Sequence, residues 1–290
     1  MEYNVPNTTY YITKQPKSEF TFDEDNVKAE YKFFNYIDKD EEHQKYYCEH
    51  NKLYNRYKDI RPYTYNTIKI NEGKEGNHYI NASGINIYHK NYFIATQGPK
   101  DTTVKDFWTM IDEQGCKMII MLCQLEENQK KRCEKYWETE FIHDIEEYED
   151  TLWTFRKIHY KFPNSNEEKV VTQLHFPDWK DKDVPKEVFD KFIEAFESID
   201  RGRKNKDKQD TPVVVHCSAG VGRTGTFICM YYLHKEILEQ MKQNKNVIKF
   251  SIFNLVRKIK EMRAYLVQTE EQYLFLYKFV QYLLKKYNLI

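Results

Sequence analysis

Net charge is the first thing this 290-residue chain lacks, since 45 Lys and Arg balance 45 Asp and Glu. No overall field draws it to nucleic acid or to an anionic membrane, so any anion site must be local. No apolar run approaches the length that spans a bilayer, and the opening MEYNVPNTTY has neither the basic nor the apolar region of a signal peptide. The six cysteines, Cys48, Cys116, Cys123, Cys133, Cys217 and Cys229, include no C-x-x-C pair, and no histidines cluster at ligand spacing. Zinc is therefore not expected. Several of these cysteines lie in apolar runs, such as Cys123 in MIIMLC, where a reduced thiol is a small hydrophobe suited to the cytosol. With 9 Gly and 8 Pro the chain has no Gly-, Pro- or Ser-rich linker, and it shows no internal repeat, so one domain is favoured. The sequons at Asn7 and Asn81 are short enough to arise by chance, and nothing else points to secretion.

What is present is organised in two halves. Residues 1–26 are polar and aperiodic and read as a loose arm, which leaves the packed domain over 27–290. Short strand-like runs follow, NHYINASG, NYFIAT, KMIIMLC, FRKIHYKF and KVVTQLHF, with helical spacing in TVKDFWTMIDEQ between the second and third. From Pro185 the pattern turns helical: Val188, Phe189, Phe192, Ile193 and Phe196 share one face, and three more helices are expected near 224–241, 248–263 and 270–286. The basic RGRKNKDK at 201–208 reads as a solvated loop and the acidic DIEEYED at 144–150 as a hairpin tip. A mixed sheet flanked by helices, α/β or α+β, accounts for this order.

The stretch VVVHCSAGVGRTGTF, Val213 to Phe227, carries the chemistry. Gly220, Gly222 and Gly225 satisfy G-x-G-x-x-G between a strand and a helix, but a dinucleotide fold needs a further parallel strand soon afterwards. Instead YYLHKEILEQMKQNKNVIKFSIFNLV reads as continuing helix. The glycines suit an anion nest better: a loop over Cys217, Ser218, Ala219, Gly220, Val221, Gly222 and Arg223 at a helix N-terminus can turn its N–H groups onto a phosphate. The same positive potential favours the thiolate of Cys217. Arg223, six positions on, can return to grip two phosphate oxygens bidentately, which Lys could not.

HCSAGVGRTG resembles the H-C-x5-R-[ST]-G signature of the protein tyrosine phosphatases, in their large tyrosine-specific class. YNRYKDI, NHYINASG, FIATQGP, FWTMIDEQ, MLCQLEE, KRCEKYW, WKDKDVP and VQTEEQY match the family in order, over roughly Val27 to Lys286. The resemblance implies a highly twisted mixed sheet and hydrolysis of phosphotyrosine proteins through a cysteinyl-phosphate, with no metal or other cofactor. Cys217 would be the nucleophile, Arg223 and the loop amides the phosphate ligands, His216 and Thr224 the partners of the thiolate, and Asp181 the general acid. Gln268 would position the hydrolytic water, with Gln272 the second such residue, though Thr269-x-x-Gln272 is also a capping box. Tyr57 would wall a deep cleft that phosphoserine cannot span, Asp59 bind substrate backbone, and Lys58 tune preference for acidic flanks. Glu127 would ion-pair with the arginine, with Glu126 a one-residue alternative. Arg132 falls where the family usually has Lys, and Trp179 is the hinge of the acid loop.

That loop departs from the family pattern. WKDKDVP carries Lys180 for the usual proline, Lys182 for the aromatic residue and Asp183 for the glycine, so the acid survives at Asp181 in an altered frame; Asp178, before the hinge, is the competing assignment. The loss leaves two further readings beside the active enzyme. One is a catalytically weak protein that binds and shields phosphotyrosine proteins. The other is a dual-specificity phosphatase, which NRYKD and the long sheet region argue against. A monomeric cytoplasmic domain with no nucleic-acid partner and no membrane insertion is expected.

Overall fold

The computed structural model describes residues 8–39, 48, 53–87, 93–150, 152–162, 165–177, 179, 186–204 and 211–290. In chain order the elements are β1 (Tyr10–Thr13), α1 (Glu24–Lys39), β2 (Thr67–Lys69), β3 (Tyr79–Ile85), β4 (Phe93–Thr96) and, after a 3₁₀ turn at Asp101–Thr103, α2 (Val104–Glu113). Then come β5 (Met118–Met121), β6 (Glu126–Glu127), β7 (Lys130–Lys131), β8 (Ile142–Glu149), β9 (Thr154–Tyr160), β10 (Lys169–His175) and α3 (Lys186–Lys204). The last are β11 (Val213–His216), α4 (Gly222–Lys242), β12 (Val247–Phe250), α5 (Ile252–Lys260) and α6 (Glu270–Lys286).

An eight-stranded sheet runs β2-β3-β4-β11-β5-β10-β9-β8. Its centre, β4, β11, β5 and β10, is parallel, while β2, β3, β9 and β8 are added antiparallel. β11 is a run of three valines and a histidine with all four residues buried, as a β-branched strand covered on both faces should be. Alternation along the strands fixes what covers each face. Phe93, in register with Val213, packs on Tyr231 and Tyr232 of α4. His216, on the opposite face, meets Phe107 of α2. The sheet is thus a mixed one with helices on both sides, as expected. α4 is buried around almost its whole circumference, which makes it the central helix of the second layer.

Several local expectations are corrected. The arm does not stay loose: Tyr10–Thr13 pairs antiparallel with β12, and Ile12 and Phe20 enter the core, so packing begins well before Val27. The helix expected over 248–263 is shortened: a left-handed Asn244 follows α4, Val247–Phe250 forms β12, and α5 runs only over Ile252–Lys260. A strand does follow the glycine loop's helix, then, but it pairs with β1 outside the main sheet, and no dinucleotide half-fold results. DIEEYED is mostly edge strand β8, held by cross-strand pairs of Glu146 with Lys157 and Glu147 with Arg156. Residues 201–204 of the basic run continue α3 rather than forming a loop; 205–208 lie outside the described residues. Asn81 is 1% exposed and hydrogen-bonded to Ile60 O, which closes it to glycosylation in the folded chain.

Candidate active site

Parallel strands deliver their following loops to one edge, and ligands bind at such carboxyl ends. His216 is in register with Thr96 of β4 and Met121 of β5, so Gln97, Cys217 and Leu122 emerge side by side. Gly98 N–H then bonds Ser218 O at 3.0 Å and Leu122 N–H bonds His216 O at 2.9 Å. The loop from Cys217 turns into α4 under tight steric limits. Gly220 sits at φ +71, and a Cβ there would stand 2.1 Å from Thr96 O; only glycine fits.

Arg263 explains the loop's orientation. It is fully buried and donates to Gly220 O at 2.9 Å, Ala219 O at 3.3 Å, Asn81 Oδ1 at 2.7 Å and Ser83 Oγ at 3.2 Å. Burial pulls its pKa down to about 10, which leaves it charged at neutral pH. Two loop carbonyls are thereby held to a buried cation. Among the described residues, the backbone N–H groups of Ser218 to Arg223 have no protein acceptor. Free amides at a helix N-terminus are the arrangement an anion nest requires.

Around that loop lies a cleft of about 610 Å³ lined by Cys217, Arg223, Tyr57, Asp59, Gln268 and Gln272, among others. Cys217 is 5% exposed, and the Thr224 hydroxyl donates to its Sγ at 3.3 Å. His216 is buried and its pKa is pushed down to about 3 by desolvation. Its bonds agree with a neutral ring: the Cys217 carbonyl can only accept, so Nδ1–H donates to it at 3.1 Å, which leaves Nε2 to accept from Tyr136 OH at 2.9 Å, an oxygen that in turn accepts from Gln173 Nε2 at 2.6 Å. The histidine therefore fixes the backbone of Cys217 rather than its sulfur.

Arg223 Nη1 and Nη2 donate to the two oxygens of Glu127 at 2.6 and 2.8 Å, and Nη1 also to Leu122 O at 2.9 Å. This selects Glu127 over Glu126. The β6–β7 hairpin turns through Asn128 and Gln129, both with positive φ as a type I′ turn requires, and carries Glu127 to the arginine. Burial works against the Glu127 charge, but Arg223 overrides it and holds the carboxyl below its ordinary value. Among the described residues, three of the guanidinium's five N–H donors are used; the other two, Nε–H and one Nη2–H, are adjacent. Arg132, whose Nε lies 3.5 Å from Glu127 Oε2, donates through Nη1 to Tyr57 OH at 3.0 Å, Tyr57 OH donates to Ser218 Oγ at 2.9 Å, and Ser218 Oγ to Arg132 O at 3.1 Å. This closed ring locks the tyrosine to the loop.

Residues 51–282 match the family model described as Protein-tyrosine phosphatase. The chain belongs to the protein-tyrosine phosphatase family. It is 35% identical over 253 residues to Tyrosine-protein phosphatase 99A of Drosophila melanogaster, covering 79% of this chain and 19% of that protein. It is 33% identical over 251 residues to human Tyrosine-protein phosphatase non-receptor type 12, covering 82% of this chain and 31% of that one. The chain thus spans less than a third of the length of these relatives. Among solved structures, the catalytic domain of human protein tyrosine phosphatase non-receptor type 18 superposes with a TM-score of 0.69 at 28% identity, covering 89% of this chain and 95% of that one. The same protein in complex with HER2 phosphopeptides gives 0.74 at 30% identity, covering 88% and 92%.

The remaining family positions distribute as follows. Lys58 is exposed and off the cleft lining, while Asp59 stands at its rim. Gln272 is 5% exposed, and its Oε1 caps α6 by accepting from Gln268 N–H at 2.8 Å and Thr269 N–H at 3.3 Å; the capping box is real. Gln268 is exposed at the cleft. Trp179 packs on Phe192 of α3 and Phe275 of α6. Asp181 and its competitor Asp178 lie outside the described residues. Two phosphatase residues escaped sequence reasoning. Arg263 is one. The other, Arg56, anchors the segment bearing Tyr57 through Gly98 O at 3.0 Å and Pro99 O at 2.8 Å. No periodicity marks either arginine; NRYKD drew attention to Tyr57, Lys58 and Asp59 but not to its arginine.

Proposed function

We propose that this domain hydrolyses phosphotyrosine in proteins through a phosphoenzyme at Cys217. The observation that carries the reading is the assembly around one cleft of a buried-edge thiol, loop amides and an arginine with two adjacent donors, the amides and these donors having no acceptor among the described residues. In the first step Cys217 Sγ attacks phosphorus in line, the S–P bond forms as the P–O bond to tyrosine breaks, and the leaving oxygen takes the proton of Asp181. The equatorial oxygens are held by the loop amides and the Arg223 fork as charge spreads over them. In the second step water, oriented by Gln268 and deprotonated by Asp181, displaces the thiolate, which Thr224 meets with a hydrogen bond.

Tyr57 is the specificity element of this proposal, since its ring, held to Ser218 and Arg132, provides a flat wall against which an aromatic leaving group stacks. Partners are therefore phosphotyrosine-bearing proteins. A cytoplasmic, monomeric domain belongs to the same proposal, and the free state of all six cysteines supports a reducing compartment. Turnover of a phosphotyrosine peptide against a phosphoserine peptide of the same sequence tests the reading. A preference of at least ~10²-fold for phosphotyrosine is expected from a site that stacks the ring. Equal rates would reinstate dual specificity, and binding without turnover would favour the shielding protein.

A further inference from the structure

One wall of the cleft, bearing Tyr265 and Gln268, follows α5 and is braced from behind by α1. The backbone there is unusual: Tyr265 has φ +63 and Val267 φ +58, and a left-handed β-branched residue persists only where its surroundings hold it. On the loop side, Val267 N–H bonds Val221 O at 3.3 Å. From α1, Tyr31 OH donates to Val267 O at 3.1 Å, and Asp38 Oδ1 accepts from Tyr265 N–H at 3.1 Å. The other Asp38 oxygen pairs with Lys260 Nζ at 2.7 Å, with Asp38 7% and Lys260 0% exposed. The ammonium also lies 5.5 Å from the Phe34 ring centroid and 5.8 Å from that of Tyr31. A buried ion pair is seldom more stabilising than apolar residues of equal volume. What this one does is orient a carboxylate, one oxygen on the cation and one on the cleft-wall amide.

We propose that Tyr31, Asp38 and Lys260 are positioning residues that set where Gln268 stands in the cleft it shares with Cys217, and so decide how readily the phosphoenzyme yields to water rather than to another acceptor. The inference rests on the cysteinyl-phosphate reading above. None of the three residues lines the cleft; each acts through the 265–268 segment.

The test is the partition of the phosphoenzyme in the full chain, with a phosphotyrosine peptide as donor and ethylene glycol as competing acceptor. A glycol oxygen forms the new P–O bond as the S–P bond breaks, the thiolate leaves, and the glycol proton passes to the carboxylate that would otherwise take it from water. The ratio of glycol phosphate to inorganic phosphate does not depend on how much of a variant is folded. Asp38→Asn and Lys260→Met should raise that ratio about 3- to 10-fold, and Tyr31→Phe about 2-fold, by displacing a group that orders the attacking water. Gln268→Ala should move it the same way. An unchanged ratio in Tyr31→Phe and in whichever ion-pair variant retains turnover would overturn the proposal. So would an unchanged ratio in Gln268→Ala. If the ion-pair variants do not fold, Tyr31→Phe, which removes one oxygen, decides alone. Failure to detect either glycol phosphate or an acid-trapped phosphoenzyme in the unsubstituted protein would instead overturn the cysteinyl-phosphate step itself.

Discussion

Arg263→Lys asks whether the anion loop is held open from behind or holds itself. The arginine spans four acceptors, two of them carbonyls of the loop at Ala219 and Gly220 and two on β3 at Asn81 and Ser83. Lysine keeps the charge but offers one nitrogen, so about two of the four contacts are lost. At about 1.5–3 kcal/mol for each hydrogen bond to a charged group, the loss is about 3–6 kcal/mol, a large part of the roughly 5–15 kcal/mol that stabilises a typical domain. The charge itself becomes less secure. Burial already lowers Arg263 to about 10, and the same site acts on a lysine from a lower start. Urea denaturation should report the stability loss, and kcat/KM on a phosphotyrosine peptide, scaled to the folded fraction, should fall about 10²–10³-fold as the loop amides lose their aim. A folded Arg263→Lys protein with kcat/KM within threefold of the unsubstituted chain would show that the loop needs no such brace.

Acid should destabilise the fold through two buried histidines. Burial lowers His216 to about 3 and His175 to about 4 from an ordinary 6.5, so their contribution is complete above pH 6.5 and is lost as pH falls toward those values. Each costs ~1.4 kcal/mol per pH unit in that window, or about 4 kcal/mol for the pair at pH 5; a urea midpoint that stays flat from pH 7 to pH 5 would contradict this, and His175→Gln should remove about half the slope. Asp181→Ala should lower kcat by ~10²–10⁴ with little change in KM, and less so on an aryl phosphate with an acidic leaving group, while Asp178→Ala does little. The reverse pattern would move the acid to the near side of Trp179. Gly220→Ala should abolish phosphate binding or folding, since its Cβ would lie 2.1 Å from Thr96 O; a soluble variant of ordinary activity would mean that β4 yields, and would refute the close approach.

Much of the site was legible because it is local in sequence. A valine run, a cysteine, three glycines and an arginine lie within Val213–Phe227, and strand, turn and helix N-terminus follow from them directly. The family motifs added Tyr57, Glu127 and the two glutamines. What was illegible depends on distant partners. Arg263 reads as a stray cation in MRAYLV until β3 and the loop close around it. Tyr10–Thr13, four strand-forming residues within a largely polar arm, finds its pairing only in the distant edge of β12, and DIEEYED looks like a turn until Lys157 and Arg156 meet its acids. Lys260 and Asp38 are 222 positions apart, and neither helix alone signals that it buries a charge.

The central claim, a covalent phosphate on Cys217, is tested most directly by acid-quenching the protein within milliseconds of mixing with a phosphotyrosine peptide and locating the phosphate by mass spectrometry. The account predicts a phosphate carried by Cys217, increased in Gln268→Ala, where the second step slows, and missing from Cys217→Ser. Full turnover with no phosphate on Cys217 at any quench time, or undiminished turnover by Cys217→Ser, would contradict it.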